Sequence, residues 1–221
     1  MPSSPFDVGL DTKDGYLTAD FFKSLQLDPD VIFDVGVSRG TPWLYKAFPE
    51  KKFLLIDPLP EFEDKLHTTP EHYECLNLGL GSTPGTLTLD LRGPRSSVHE
   101  WKKNTNHTSH GTVDVQITTL DDLIEKHAAT QSIGLKIDTE GHEVEVIKGL
   151  DTYSSNIQFL VCECSVRQRF EDGYRFSDLI SIAARKGFEF YNFLSPQKPR
   201  PLHYDCIFFR ADDERFSLGD I

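Results

Sequence analysis

Basic residues are scarce in this chain. It carries 23 Lys+Arg against 35 Asp+Glu, a formal net charge of −12 over 221 residues. A surface of that sign repels phosphate backbones, so nucleic acid is not an expected partner unless a local patch overrides the total. The basic clusters near Arg92–Arg95 and Lys102-Lys103 are short and read as solvated loop charge. Long apolar runs are also missing. The longest are strand-sized, below the ~18–20 residues of a spanning helix, so no membrane insertion is expected. Met1 to Pro5 has neither a basic region nor an apolar core, so no secretory signal is expected there. Cysteine is sparse: Cys75, Cys162, Cys164 and Cys206 do not make a disulfide scaffold in a chain of this length. Cys162-x-Cys164 lacks the wider gap of zinc ligand pairs, and strand alternation puts both thiols on one sheet face. The expectation is a reduced, cytoplasmic protein.

What is present reads as one domain over residues 1–221, with a tail at 1–15, a flap at 92–112 and an acidic tail at 211–221. Leu17, Phe21, Phe22 and Leu25 recur at helical spacing in Tyr16–Leu27. A strand Val31–Phe33 follows, then a helix opened by Thr41-Pro42, a strand Phe53–Ile56, a helix Pro60–His67 and a strand Tyr73–Leu78. That alternation predicts a doubly wound, mostly parallel sheet. Thr86–Leu91 and Val113–Ile117 alternate as a hairpin, joined by a loop rich in Ser, Asn, His and Gly. So long a loop predicts a mobile flap near the pocket, with His99, Trp101, His107 and His110 as candidates to touch a substrate. Each of these is otherwise an ordinary solvated loop residue. Helices follow at Asp121–His127, Glu143–Leu150 and Phe176–Lys186, and strands at Ile133–Ile137, Ile157–Cys162 and Phe188–Phe193. Tyr204–Phe209 arrives without an intervening helix, which predicts an antiparallel last strand.

Two strands end on carboxylates, Asp34 and Asp57, at the sheet edge where open α/β folds bind ligands. Gly36 and Gly40 allow a tight turn with close approach to a ligand, Ser38 offers a small polar group between them, and Asp57 suits a ribose diol. The turn reads D-x-G-x-x-x-G, with an acid where a dinucleotide fingerprint has its first glycine. A carboxylate there disfavours a pyrophosphate and complements a cationic cofactor such as S-adenosylmethionine. The competing reading makes Asp34 a turn or helix cap.

Further along, Asn77-Leu78-Gly79, Thr118–Leu123 and Leu135-Lys136-Ile137-Asp138-Thr139-Glu140-Gly141-His142-Glu143 follow in order, the last continuing into Val146-Ile147-Lys148-Gly149. In this order the segments resemble the FkbM-type methyltransferases over roughly residues 30–195. Val37-Ser38 stands where that family more often has Ala-Asn, and Ile56-Asp57-Pro58 where many have Phe-Glu-Pro. The resemblance implies a Rossmann-like class I methyltransferase with seven strands, S-adenosylmethionine as cofactor, and a hydroxyl acceptor on a sugar, glycan or other small molecule. Its cofactor residues would be Asp34, Gly36, Ser38, Gly40, Asp57, Asn77 and Gly79.

Hydroxyl acceptors are poor nucleophiles and need a base or a metal. Asp138 and Glu163 are read as closing their strands at the pocket mouth, and His142 titrates near working pH. These three are the catalytic candidates, Asp138 first. Lys136, two residues before Asp138, either pairs with a pocket carboxylate or extends to solvent. No carboxylate cluster requires a metal, and none is assigned. A nicotinamide-dependent oxidoreductase and a non-catalytic cofactor-binding module remain alternatives. Homo-oligomerisation is neither required nor excluded.

Overall fold

The computed structural model describes residues 15–102 and 108–217. In chain order its elements are α1 (Ala19–Ser24), β1 (Val31–Val35), α2 (Pro42–Ala47), β2 (Lys52–Ile56), β3 (His72–Leu76), β4 (Gly79–Leu80), β5 (Gly85–Asp90), β6 (Thr112–Thr118) and α3 (Leu120–His127). They continue as β7 (Ile133–Ile137), α4 (Glu143–Lys148), β8 (Ile157–Ser165), α5 (Phe176–Arg185), β9 (Phe188–Phe193) and β10 (His203–Arg210). The main sheet has seven strands in the order β3-β2-β1-β7-β8-β10-β9. Only β10 runs against its neighbours, pairing antiparallel with both β8 and β9. The reversed last strand is as the missing helix before it predicts.

β1 and β7 are buried at every position, as central parallel strands covered on both faces must be. One face packs Val35, Leu135, Ile137 and Cys162 against α3, α4 and α5. The other packs Ile32, Phe53, Phe159 and Phe209 against α1 and α2, with Phe48 stacked on Phe159 at 5.7 Å. Each fully buried large side chain contributes about 1.5–3 kcal/mol. All four cysteines are free thiols, and Cys162 and Cys164 share the first face.

β4, β6 and β5 form a second, three-stranded sheet beside the carboxyl edge of the first. This is the expected hairpin with one short parallel strand added. Its Leu89, Val115 and Ile117 make a small apolar cluster of their own.

Several boundaries differ from the sequence reading. The helix expected at Pro60–His67 is only a 3-10 turn at Glu63–Lys65. Glu61 has φ 54°, outside the helical region, and Phe62 is buried from the loop that results. α1 is shorter than Tyr16–Leu27, because Thr18 caps it by accepting from the Phe21 amide and Gln26, at φ 53°, ends it. β8 runs on to Ser165, so Glu163 lies within the strand and not at its end.

The described part of the 92–112 loop is anchored. Asp90 and Ser97 form a bridge, Trp101 pairs with Phe170, and Ser97 Oγ donates to the Glu140 carbonyl at 2.8 Å. His107 lies outside the described residues. The segment after β10 docks as well: Arg215 donates to the Leu25 carbonyl at 2.6 Å, and Phe216 packs edge-on against Tyr191. No helix among the described residues is long and apolar enough to cross a membrane.

Candidate active site

β1, β2, β7 and β8 all point their carboxyl ends at one edge, and the charged side chains gather there. Asp34 is wholly buried. Its register partner across the β1–β7 ladder is Lys136, whose ammonium sits 3.1 Å from Asp34 Oδ1. The Tyr45 hydroxyl donates to Asp34 Oδ2 at 2.8 Å. Burial and the Asp34 charge push the Tyr45 pKa up, which keeps that donor protonated. Lys136 also donates to the Gly36 carbonyl at 2.8 Å and lies 3.7 Å from Asp138 Oδ2. Asp34 therefore holds the cation that braces the glycine turn and does not itself face the cavities. Of the two sequence readings of Lys136, the structure has the ion pair.

The turn is built to be thin. Gly36 has φ 76°, and a Cβ there would stand 1.8 Å from the Asp138 carbonyl oxygen. Gly40 has φ 106°, and its Cβ would meet the Thr68 carbonyl at 2.5 Å. The space beside both glycines is taken by neighbouring backbone, which a side chain would crowd. Ser38, between them, also takes a left-handed φ of 52°.

Asp57 at the end of β2 accepts the Ser38 amide at 2.9 Å on one oxygen and the Leu59 amide at 2.9 Å on the other. Each carboxylate oxygen keeps a further acceptor position. Burial raises its pKa, opposed by those two amides. Asn77 sits behind this loop: its side-chain amide donates to the carbonyls of Asp57 at 2.9 Å and Leu59 at 2.8 Å. Asn77 holds the loop in place and does not line the cavity.

Two of the cavities along this edge meet at the glycine turn. The first is mostly apolar and lies between the two sheets, with Ile56, Leu78, Leu80, Leu89 and Ile117 as walls, Gly79 in its floor and Asp57 reaching in. The second is polar, lined by Arg39, Gly40, Lys136, Glu163 and Asp205. They share Gly36, Ser38 and Asp138. Burial and the nearby Glu163, Glu140 and Asp205 raise the Asp138 pKa, while Lys136 opposes them.

Around the second cavity the structure adds residues that the motifs do not single out. Glu163 pairs in register with Asp205 of β10. Its carboxylate lies 2.7 Å from His203 Nδ1 and 3.3 Å from an Arg169 nitrogen. Burial works to raise the Glu163 carboxyl, but His203 and Arg169 hold it below its usual value. Arg169 also pairs with Glu140 at 2.9 Å. Burial and Glu163 nonetheless bring Glu140 up to about 7. Asp205 accepts from Ser195 Oγ at 2.6 Å.

His142 is placed differently from Asp138 and Glu163. It lines the apolar cavity, and its Nδ1 lies 3.0 Å from His99 Nε2 of the anchored loop. Burial and His99 lower its pKa to about 4, which makes it a weak base. Glu143 is fully buried and accepts the Thr139 amide at 2.9 Å and the Gly141 amide at 3.0 Å, so it shapes the turn after Asp138.

A sheet of this order, with its last strand reversed and inserted before the penultimate one, defines the Rossmann-like fold of class I methyltransferases. The methyltransferase FkbM domain matches residues 34–190, and the chain belongs to that family, whose members in general use S-adenosylmethionine. It is similar to the hexuronic acid methyltransferase AglP of Haloferax volcanii, 26% identical over 62% of this chain and 56% of that protein. It is also similar to the methyltransferase sdnD of Sordaria araneosa, 30% identical over 54% of this chain and 60% of that protein. The chain thus spans about three fifths of the curated relatives it matches. The fold matches the crystal structure of methyltransferase FkbM from Methylobacillus flagellatus with a TM-score of 0.53 at 13% identity, covering 89% of this chain and 48% of that one.

Proposed function

We propose that this chain is an S-adenosylmethionine-dependent O-methyltransferase that acts on a hydroxyl of a sugar, glycan or other hydroxylated small molecule. The observation that carries the reading is the junction of the two cavities at Gly36, Ser38 and Asp138. An apolar slot with one carboxylate fits an adenosine, and Asp57 retains acceptor positions for a ribose diol. The acids beyond the junction, Glu163 and Asp205, complement a sulfonium and an amino group. The cofactor, when bound, supplies an electrophilic methyl group.

The chain's own residues position and shield. Lys136 fixes the glycine turn, Glu143 fixes the turn after Asp138, and the loop that Ser97 and His99 anchor lines the apolar cavity with Ser96 and Val98. Holding two reactants aligned removes about 7–11 kcal/mol of barrier in well-oriented cases. Asp138, at the junction, is the group we assign to orient the acceptor. A hydroxylated sugar is favoured as acceptor because a relative carries the name hexuronic acid methyltransferase.

The test is thermal denaturation with S-adenosylmethionine, S-adenosylhomocysteine and a nicotinamide dinucleotide in parallel. The expected result is a rise in Tm with the first two only, about 2.7 kcal/mol of added stability at a hundredfold excess over Kd. A rise with the dinucleotide alone would overturn the reading. Cofactor binding without turnover on a broad panel of sugars, glycans and alcohols would favour a binding module instead.

A further inference from the structure

We propose that a third cavity, beside the glycine turn, is a subsite for an oxyanion carried by the acceptor, a carboxylate or a phosphate, held by Arg39; the assignment rests on the methyl-transfer reading above. The cavity is about 400 Å³ in volume, within the ~300–1,000 Å³ of small-molecule sites. Three parts of the chain wall it. The glycine turn supplies Ser38 and Arg39, the segment between β2 and β3 supplies Asp64, Lys65 and His67, and the loop between β5 and β6 supplies His110. The His67 amide donates to the Arg39 carbonyl at 2.9 Å, and the His110 amide to the Leu91 carbonyl at 2.8 Å. Backbone contacts thus fix where these side chains start.

In a chain of net charge −12 this lining is an exception. Arg39 and Lys65 are cations, His67 and His110 each bring a ring N–H, and Asp64 is the one acid among the described lining residues. Lys65 is steadied by donating to the Pro60 carbonyl at 2.7 Å. Other cations at this sheet edge are already matched: Lys136 by Asp34 at 3.1 Å, Arg169 by Glu140 at 2.9 Å. Among the described residues, the side chains of Arg39, His67 and His110 have no hydrogen-bond or ion-pair partner. A guanidinium with five donors and no protein acceptor suits a carboxylate or phosphate, which it holds through two parallel hydrogen bonds.

Position ties this cavity to the reaction. Ser38 lines all three cavities, and Arg39 lines the second and the third. An oxyanion on Arg39 therefore stands beside the junction assigned to methyl transfer. In that reading the first cavity takes the adenosine, and the acids of the second take the sulfonium and amino group. The third is left for the acceptor's charged arm. Charge is sorted by sign, with acids toward the cationic part of the cofactor and cations toward the anionic part of the acceptor. The cofactor's own carboxylate is the rival occupant.

The experiment is a ¹H–¹⁵N NMR titration of the full chain at fixed ionic strength, with and without S-adenosylhomocysteine. The probes are methyl glucuronide, glucose-6-phosphate and the neutral methyl glucoside. At least one anionic probe is expected to bind about tenfold or more tightly than the glucoside, shifting signals of Arg39, His67 and His110. The tighter of the two anions names the group. Arg39→Gln should remove the preference, and Arg39→Lys should keep part of it.

Equal binding of all three probes, shifts confined to other residues, or a preference that survives Arg39→Gln overturns the proposal. Absence of binding by both anions overturns it too. His67 lines this cavity and neither of the other two, so His67→Ala tests the rival occupant. A loss of affinity for S-adenosylhomocysteine, with none for methylthioadenosine, which lacks the amino-acid arm, would give the cavity to the cofactor and overturn the proposal. The cofactor-free titration decides on the oxyanion by itself. Failure of the wild-type protein to bind S-adenosylmethionine would instead sink the methyl-transfer reading.

Discussion

The Lys136 ammonium lies 3.1 Å from the carboxylate of Asp34, and both groups are buried. Removing one member of such a pair strands the other charge, at a cost of about 3–5 kcal/mol. Lys136→Met should therefore destabilise the protein by that order in urea denaturation. Pairing it with Asp34→Asn should recover much of the loss, because the stranded charge is gone. A loss in the double variant equal to the sum of the losses in Lys136→Met and Asp34→Asn would show that the two charges are uncoupled.

Asp57 is expected to hold the ribose of the cofactor. Asp57→Ala should weaken S-adenosylmethionine binding by roughly 2–4 kcal/mol, since hydrogen bonds to a charged acceptor are lost. Part of that loss comes from freeing the Ser38 and Leu59 amides. Calorimetry on the folded variant decides, and unchanged affinity would move the ribose site elsewhere.

Gly36 is the position least able to accept a side chain. A Cβ there falls 1.8 Å from the Asp138 carbonyl oxygen, on a backbone with φ 76°. Gly36→Ala should cost several kcal/mol or prevent folding, whereas Gly85→Ala, with nothing within 4 Å of the added carbon, should be nearly neutral. Circular dichroism through a denaturant series separates the two outcomes.

The His99–His142 contact should make the fold sensitive to acid. Burial lowers both pKa values, that of His142 to about 4. Between about pH 6.5 and pH 4 the unfolded imidazole binds protons that the folded one refuses, so stability falls as pH falls through that window. The difference in unfolding free energy between wild type and His142→Gln isolates this contribution from the raised carboxylates Glu140 and Asp138. It should be largest near pH 7 and shrink towards pH 4. A difference independent of pH would show that the pair titrates normally.

Asp138→Asn separates binding from turnover at the junction of the cavities. Cofactor affinity should be largely kept and kcat reduced about 10²–10⁴-fold. If both fall together, Asp138 holds the cofactor instead of the acceptor.

The strands were legible because Val31–Phe33, Phe53–Ile56 and Ile133–Ile137 are dense in β-branched and aromatic residues and are cut off by glycine or proline. The role of Asp34 was less legible. Its pairing with Lys136 is a cross-strand neighbour relation over about a hundred residues, visible only once β1 and β7 are known to be adjacent. Arg169, His203 and Asp205 carry no periodic or motif signal. They converge on Glu163 from a loop and from a strand that reverses direction. The Pro60–His67 helix failed because a helical pattern of apolar residues says nothing of the left-handed turn at Glu61.

The placement of β10 between β8 and β9 gives the chain a fixed order of completion during synthesis. Until residues 203–210 have left the ribosome, β8 and β9 each present a bare backbone edge where β10 will pair, and the polar cavity lacks Asp205. A nascent chain halted before β10 would keep the Asp57 end of the site and lack the far wall of the polar cavity. On the proposed function, adenosine-containing ligands should protect such a truncated chain from aggregation before it can turn over.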